Sequence, residues 1–177
     1  MFVKIACGKA TNRPIHMIIR KYNEKDFDQL VELMNAFQGY LVSMDPLNRL
    51  IRAPEYGMHK MNELIGKLAK ENGAMYVAEE NGVVTGFVAG IIHLNSPAEQ
   101  LETKTKRRGE VVELFVDEAF RGGGIGKMLM EEMEKYLKKQ ECDVISIEVF
   151  SPNTGARKFY EAMGYHERSV EMFKEIT

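Results

Sequence analysis

The residues of this chain whose types and spacing could do chemistry begin at Arg121, which opens the run Arg121-Gly122-Gly123-Gly124-Ile125-Gly126. An apolar stretch, residues 111–116, precedes the run, and a strongly amphipathic one follows it. Glycines before a helix leave bare the end where backbone N–H groups have no partner within the helix. That end carries roughly half a positive charge and accepts a phosphate readily. The run therefore reads as a pyrophosphate-binding turn between a strand and a helix. Two familiar phosphate loops fail on spacing. A Walker A loop needs a glycine five residues before its Gly-Lys pair and a Ser or Thr after it. Around Gly126-Lys127 those places hold Arg121 and Met128. A dinucleotide fingerprint counted from Gly122 finds Gly124 where it should, but meets Lys127 where the last glycine belongs.

What the run does satisfy is the pattern Arg/Gln-x-x-Gly-x-Gly/Ala, at Arg121, Gly124 and Gly126. A second pattern follows, Asn153-x-x-Ala156-x-x-Phe159-Tyr160-Glu161-x-x-Gly164-Tyr165. Together the two resemble the signature motifs of the GNAT superfamily of N-acetyltransferases, over residues 111–165. The resemblance implies an enzyme that moves the acetyl group of acetyl-CoA to a primary amine by direct attack, through a tetrahedral intermediate. It implies that backbone N–H groups of Gly122, Gly123, Gly124, Ile125, Gly126 and Lys127 hold the coenzyme's pyrophosphate. Arg121 would reach a phosphate or brace the turn. Backbone groups of Leu114, Phe115 and Val116, in a bulged strand, would hold the pantetheine arm and the acetyl oxygen. Losing one such oxyanion donor typically costs roughly 2.7–4 kcal/mol. Asn153 would bond the pantetheine or cap a helix, two roles that are compatible. A non-catalytic acyl-CoA-binding sensor with the same fold is the alternative.

The chemistry asks for a proton donor and a proton acceptor. Tyr160, at the family's tyrosine position, is the candidate general acid for the leaving thiolate. Its other reading is a core aromatic, since Ala156, Phe159, Tyr160 and Met163 share helical spacing. The amine must shed a proton, at a cost of roughly 4–5 kcal/mol at pH 7 for an aliphatic amine. Glu113, on the strand before the turn, is the candidate base, with Glu110 and Glu148 behind it; a solvated strand carboxylate is the alternative. Simple alternation places Glu113 and Phe115 on one face of that strand, and Val112, Leu114 and Val116 on the other.

These groups need elements to position them. Met17-Ile18-Ile19-Arg20 reads as a first strand, and residues 1–16 as an N-terminal extension to an acetyltransferase domain spanning 17–177. Phe27, Leu30, Val31, Met34 and Phe37 fall at helical spacing, as do Met58, Met61, Leu64, Ile65 and Leu68 before the stop signal Asn72-Gly73. Residues 75–79 and 83–92 flank Asn81-Gly82 as a tight hairpin. Residues 96–108 read as a loop whose basic end, 104–108, would touch the coenzyme's 3′-phosphate or simply be solvated. After the glycine turn, Ile125, Met128, Leu129, Met133, Tyr136 and Leu137 line one helical face. Residues 144–150 read as a strand, 154–163 as a short helix, and 165–175 as a final strand or hairpin. The expected fold is a single α/β domain of the GNAT type. It has a mixed, mostly antiparallel, twisted sheet, helices on both faces, and a V-shaped cleft between the fourth and fifth strands, around 114–116 and 147–149.

Composition excludes more than it selects. A chain of 177 residues is about one domain. A net charge of −2 offers no nucleic-acid footprint, and no apolar run approaches the roughly 20 residues of a membrane span. Cys7 and Cys142 are too few for a disulfide framework or zinc site, and the four histidines lack ligand spacing, so no metal is expected. Two reduced thiols and no targeting signal place the protein in the cytoplasm. The family builds its acceptor site from stretches matching roughly 37–60 and 165–172. Here those carry Asp45, Glu55 and Glu167 but also Arg49, Arg52 and Arg168. The acceptor, a small-molecule or protein amine, stays open at this level, with a small amine favoured. Homodimers are common in the family.

Overall fold

Asn81 and Gly82 both take positive φ, 52° and 84°, as a two-residue hairpin turn requires, and they join the two strands around which the sheet is built. The computed structural model describes residues 17–176; the expectation for residues 1–16 lies outside them. In chain order the elements are β1 Met17–Lys21, α1 Phe27–Met44, α2 Tyr56–Lys70, β2 Ala74–Glu80, β3 Val83–Leu94, α3 Glu99–Glu102, β4 Arg107–Val116, α4 Ile125–Lys139, β5 Val144–Ile147 and α5 Thr154–Ala162. The sheet order is β1-β2-β3-β4-β5. The first three pairings are antiparallel and β4–β5 is parallel. A parallel neighbour needs a crossover, and α4 is that crossover.

Each face of the sheet has its own core. Leu30, Leu33 and Met34 of α1 and Met61 and Leu64 of α2 pack with Met75, Val77, Phe87 and Phe115. Leu129, Met130, Met133 and Leu137 of α4 pack with Val88, Val111 and Tyr160 on the other side. Two glycines let α4 lie close. A Cβ on Gly90 would come within 2.6 Å of the Met133 sulfur, and one on Gly109 within 2.8 Å of Leu137. The buried methionines Met34, Met61, Met75, Met130 and Met133 thus serve packing, as flexible gap fillers do.

Three sequence expectations change. The loop expected over 96–108 contains the short helix α3, tied by His93 Nε2 to Glu99 Oε1 at 3.0 Å and by the Ser96 N–H donating to Glu99 Oε2 at 2.8 Å. Its basic end divides, since Arg107 and Arg108 already belong to β4, opposite Leu94 and His93. The strand expected over 144–150 stops at Ile147, because β4 and β5 pair only from Arg108↔Val144 to Val111↔Ile147 and then lose each other as ladder partners. The final strand or hairpin expected over 165–175 is absent among the described residues; that segment carries no regular structure. A strand needs a partner as well as a pattern, and here the pattern stands alone.

Candidate active site

β4 carries the centre of the site, and a bulge shapes it. Ala89 faces Glu113 and Gly90 faces Val111, so Val112 has no partner on β3. One extra residue bends a strand and re-aims its side chains. Val112 accordingly packs against the α1/α2 core with Phe115, while Val111, Leu114 and Val116 pack on the α4 side. This corrects the simple alternation, which put Val112 with Leu114 and Val116. The bulge lies next to the last β4–β5 pair, so beyond it residues 113–116 of β4 pair with β3 alone. Backbone groups of Leu114, Phe115 and Val116 therefore border the opening between the strands.

Glu113 leaves the bulge beside the charged margin of α2. It is part-buried, and desolvation pushes its carboxyl up to about 7, against the opposing pull of Lys60 and with Glu63 adding to the rise. Lys60 donates to Glu63 at 2.9 Å. Farther along, Glu110 sits 3.9 Å from Lys67 and 3.7 Å from Arg108. Tyr160, 7% exposed, is held well above the ordinary phenol value by burial first and by the Glu113 carboxylate second. Tyr160 belongs to the α4-side core and also lies within electrostatic reach of Glu113.

The glycine turn has the geometry that its sequence implies. Gly122 and Gly124 take φ of +85° and +81°, in the region that favours glycine. Gly124 is the N-cap of α4, and neither a capping side chain nor an acidic residue serves the first turn. The N–H groups of Ile125, Gly126 and Lys127 thus open a 15-residue helix with no side-chain acceptor, which fits a pyrophosphate. Gly126 sits against Phe159 of α5, and a Cβ there would be 3.6 Å from its ring, so the two motifs pack on each other. Arg121 braces: its Nε donates to the Val116 carbonyl at 2.9 Å, and its guanidinium lies 4.6 Å above the Tyr40 ring. Asn153 caps α5, its Oδ1 accepting from the Ala156 N–H at 3.1 Å. Among the described residues no group of three His, Cys, Asp or Glu is placed to hold a metal, and no helix is long and apolar enough to cross a membrane.

Sequence reasoning missed Tyr40 and Lys60. The Tyr40 hydroxyl donates to Asn153 Oδ1 at 3.4 Å, so α1 reaches across to the α5 cap. The i, i+3 aromatic pair Phe37 and Tyr40 was the available signal, and Phe37 stacks on Phe115 with ring centroids 5.2 Å apart. Nothing in the sequence distinguished Lys60 from the other lysines of its helix.

The sequence model of the acetyltransferase (GNAT) family matches residues 31–165. The chain is 29% identical over 157 residues to an uncharacterized N-acetyltransferase of Methanocaldococcus jannaschii, MJ1530, covering 87% of this chain and 81% of that protein. It is 34% identical over 103 residues to a second from the same organism, MJ1207, covering 58% of this chain and only 43% of that relative. Among solved structures, a tetramutant of the BH1408 protein of Bacillus halodurans superposes with a TM-score of 0.77 at 21% identity, covering 90% of this chain and 99% of that one. The aminoglycoside N-acetyltransferase AAC(6')-Iy in complex with CoA superposes with a TM-score of 0.66 at 19% identity, covering 94% and 98%. At such identities the structural likeness speaks for the fold.

Proposed function

The chain belongs to the acetyltransferase (GNAT) family, and from that premise we propose that it transfers the acetyl group of acetyl-CoA to a primary amine, with a small amine favoured. The observation that carries this reading is Glu113: a carboxyl on the β4 bulge, beside the parting of β4 and β5, poised at about 7. Proton transfer from an aliphatic ammonium to such a group is uphill by about 4–5 kcal/mol, against about 8 kcal/mol for an ordinary glutamate. Glu113 takes the amine's proton, directly or through water. The nitrogen bonds to the thioester carbon and the carbon–sulfur bond breaks. Tyr160, kept neutral by its raised pKa, hydrogen-bonds the departing thiolate, or passes it a proton and regains the second proton that the nitrogen sheds as the amide forms. N–H groups of residues 122–127 hold the pyrophosphate, and Gly124 and Gly126 keep side chains out of its way. Backbone groups of Leu114, Phe115 and Val116 take the pantetheine and the carbonyl oxygen, where preorganised donors matter most. Asn153 keeps its cap while facing the arm, and Arg121 keeps the turn in shape.

The acceptor margin, with Lys60, Lys67 and Arg108 set against Glu63, Glu110 and Glu113, is mixed in sign. One structural relative is bound to the bisubstrate analogue CoA-S-monomethyl-acetylneamine, which makes aminoglycosides one class for trial. The test is steady-state release of coenzyme A thiol from acetyl-CoA with polyamines, aminoglycosides, amino acids and Lys-containing peptides, using native protein and Tyr160→Phe. A saturable rate with one acceptor class, lowered about 10²-fold in Tyr160→Phe with acetyl-CoA binding intact, supports the enzyme and the role of Tyr160. Silence across the panel with tight acetyl-CoA binding favours the sensor reading, and absence of binding sinks both.

A further inference from the structure

Two rows of charged side chains face each other over one side of the sheet, one on α2 and one on β4. Met61 and Leu64 turn into the core from α2, and Lys60, Glu63 and Lys67, at i, i+3 and i+7, run along one side of that helix. On β4, Gly109 faces Leu137 of α4, so its neighbours Arg108 and Glu110 point to the α2 side. Glu113 joins their row after the bulge, within electrostatic reach of Lys60, Glu63 and Lys67. The rows differ from end to end. At the Glu113 end the cation is already engaged, since Lys60 donates to Glu63 at 2.9 Å. At the other end Lys67 and Arg108 share the Glu110 carboxylate at 3.9 and 3.7 Å, both beyond hydrogen-bond reach. Two cations against one carboxylate leave a positive charge over. The buried Nε of Arg108 also finds no hydrogen-bond partner among the described residues. Such orphans are rare in folded proteins, and an oxyanion that draws the guanidinium toward itself would meet it. The Lys67 and Arg108 side chains are 39% and 34% exposed, so both heads can be approached from solvent.

Spacing then selects the ligand. Lys67 lies seven residues beyond Lys60, about 10 Å along α2, and long side chains can shorten that gap. An amine at Glu113 and an oxyanion at Lys67 and Arg108 would therefore stand roughly 6–10 Å apart. An extended chain gains about 1.2 Å per bond, because the three bonds of one residue span about 3.3–3.6 Å. Roughly five to eight bonds meet the requirement, and the short path between the amine and carboxylate of an α-amino acid does not. One spare positive charge matches a carboxylate better than a doubly charged phosphate, and the second amine of a polyamine would meet two cations. We propose that the acceptor is an ω-amino carboxylate, its carboxylate held by Arg108 and Lys67 while its amine faces Glu113. The products are the ω-acetamido carboxylate, coenzyme A thiol and a proton. This assignment rests on the acetyl-transfer reading and narrows it.

The test is thiol release from acetyl-CoA with acceptors of one length that differ only at the far end: ε-aminocaproate, n-hexylamine and hexamethylenediamine. The native protein should prefer ε-aminocaproate to n-hexylamine by about tenfold or more in kcat/KM, mainly through KM. The diamine should do no better than n-hexylamine. Arg108→Gln should bring the ratio of the first two acceptors toward one, and Lys67→Met, on a different element, should lower it in the same direction. Circular dichroism and acetyl-CoA calorimetry check that both variants are folded. A native ratio near one, a preference for the diamine, or a preference that both substitutions leave intact overturns the proposal and leaves acetyl transfer standing. So does silence with all three acceptors beside turnover of an aminoglycoside or a peptide. Silence with every amine, with acetyl-CoA still bound, overturns the acetyl-transfer reading and this assignment together.

Discussion

Replacing Glu113 by glutamine keeps the size of the side chain and removes its charge, so it separates shape from proton transfer. With the carboxyl at about 7, about 1% is ionised at pH 5. The native kcat/KM should then fall about 100-fold below its plateau at pH 5, with unit slope below about pH 7. An ordinary glutamate would leave that range nearly flat. Glu113→Gln should lower kcat/KM about 10²-fold or more and erase the limb near 7, leaving a rate that climbs with the free fraction of the amine. Lys60→Met supplies the sign control. Lys60 holds the Glu113 value down, so losing it should move the limb to higher pH. The assay is thiol release over a pH series, with acetyl-CoA affinity by calorimetry expected to stay unchanged. A Gln variant within about threefold of native, or one that keeps the limb near 7, refutes the assignment of Glu113 as the base.

The same substitution carries a stability signature. The folded value of Glu113 lies above its ordinary 4.5, so the native state binds the extra proton, and stability is lost as pH rises from about 4.5 to about 7. Glutamine cannot ionise. Glu113→Gln should therefore be more stable than native by up to about 3 kcal/mol above pH 7, with the difference vanishing below about pH 4.5. Equilibrium urea unfolding across that range reads it, and a gain that does not grow with pH would contradict the burial argument.

Two further substitutions test the frame around the site. Gly124→Ala places a Cβ at φ +81°, where it meets no atom within 4 Å but adopts a disfavoured backbone, at roughly 1–2 kcal/mol; thermal unfolding should drop accordingly, and calorimetry should find acetyl-CoA bound about tenfold more weakly, whereas unchanged affinity would detach the turn from the coenzyme. Arg20→Ala leaves Asp26, 3% exposed and bonded by Arg20 at 2.7 Å through both nitrogens, without its cation, at about 3 kcal/mol at pH 7. The Arg20 hydrogen bonds lower the Asp26 pKa below its ordinary 3.8, so that stability is present above the ordinary value and lost as pH falls through the lowered one. Urea unfolding should therefore show the deficit at pH 7 and a shrinking one as pH falls below the ordinary value, and a pH-independent deficit would point to packing instead.

Local patterns made most of the fold legible in advance. The heptad-like spacing of α1, α2 and α4, the Asn81-Gly82 turn and the glycine run each encode a backbone geometry through residues adjacent in the chain. The two motifs named the family because a phosphate turn and its packing partner are each short and continuous in the chain. Illegible were the features that need a second element. β5 stops at Ile147 because β4 bulges away, and residues 168–176 carry a strand pattern with no strand to pair with. Arg121 stacks on Tyr40, a residue of α1.

Glu113 marks the boundary most clearly. Its type, its strand and its place before the turn were written in the sequence. Its face and its readiness to accept a proton were not. The face depends on Val112 slipping out of register with β3, and the pKa depends on burial and on α2 bringing Lys60 and Glu63 to bear on one carboxyl. Backbone propensity and hydrogen-bond spacing act over a few residues and can be read from sequence order. Desolvation and Coulomb forces act through space between residues far apart in the chain, so the tertiary structure alone decided them.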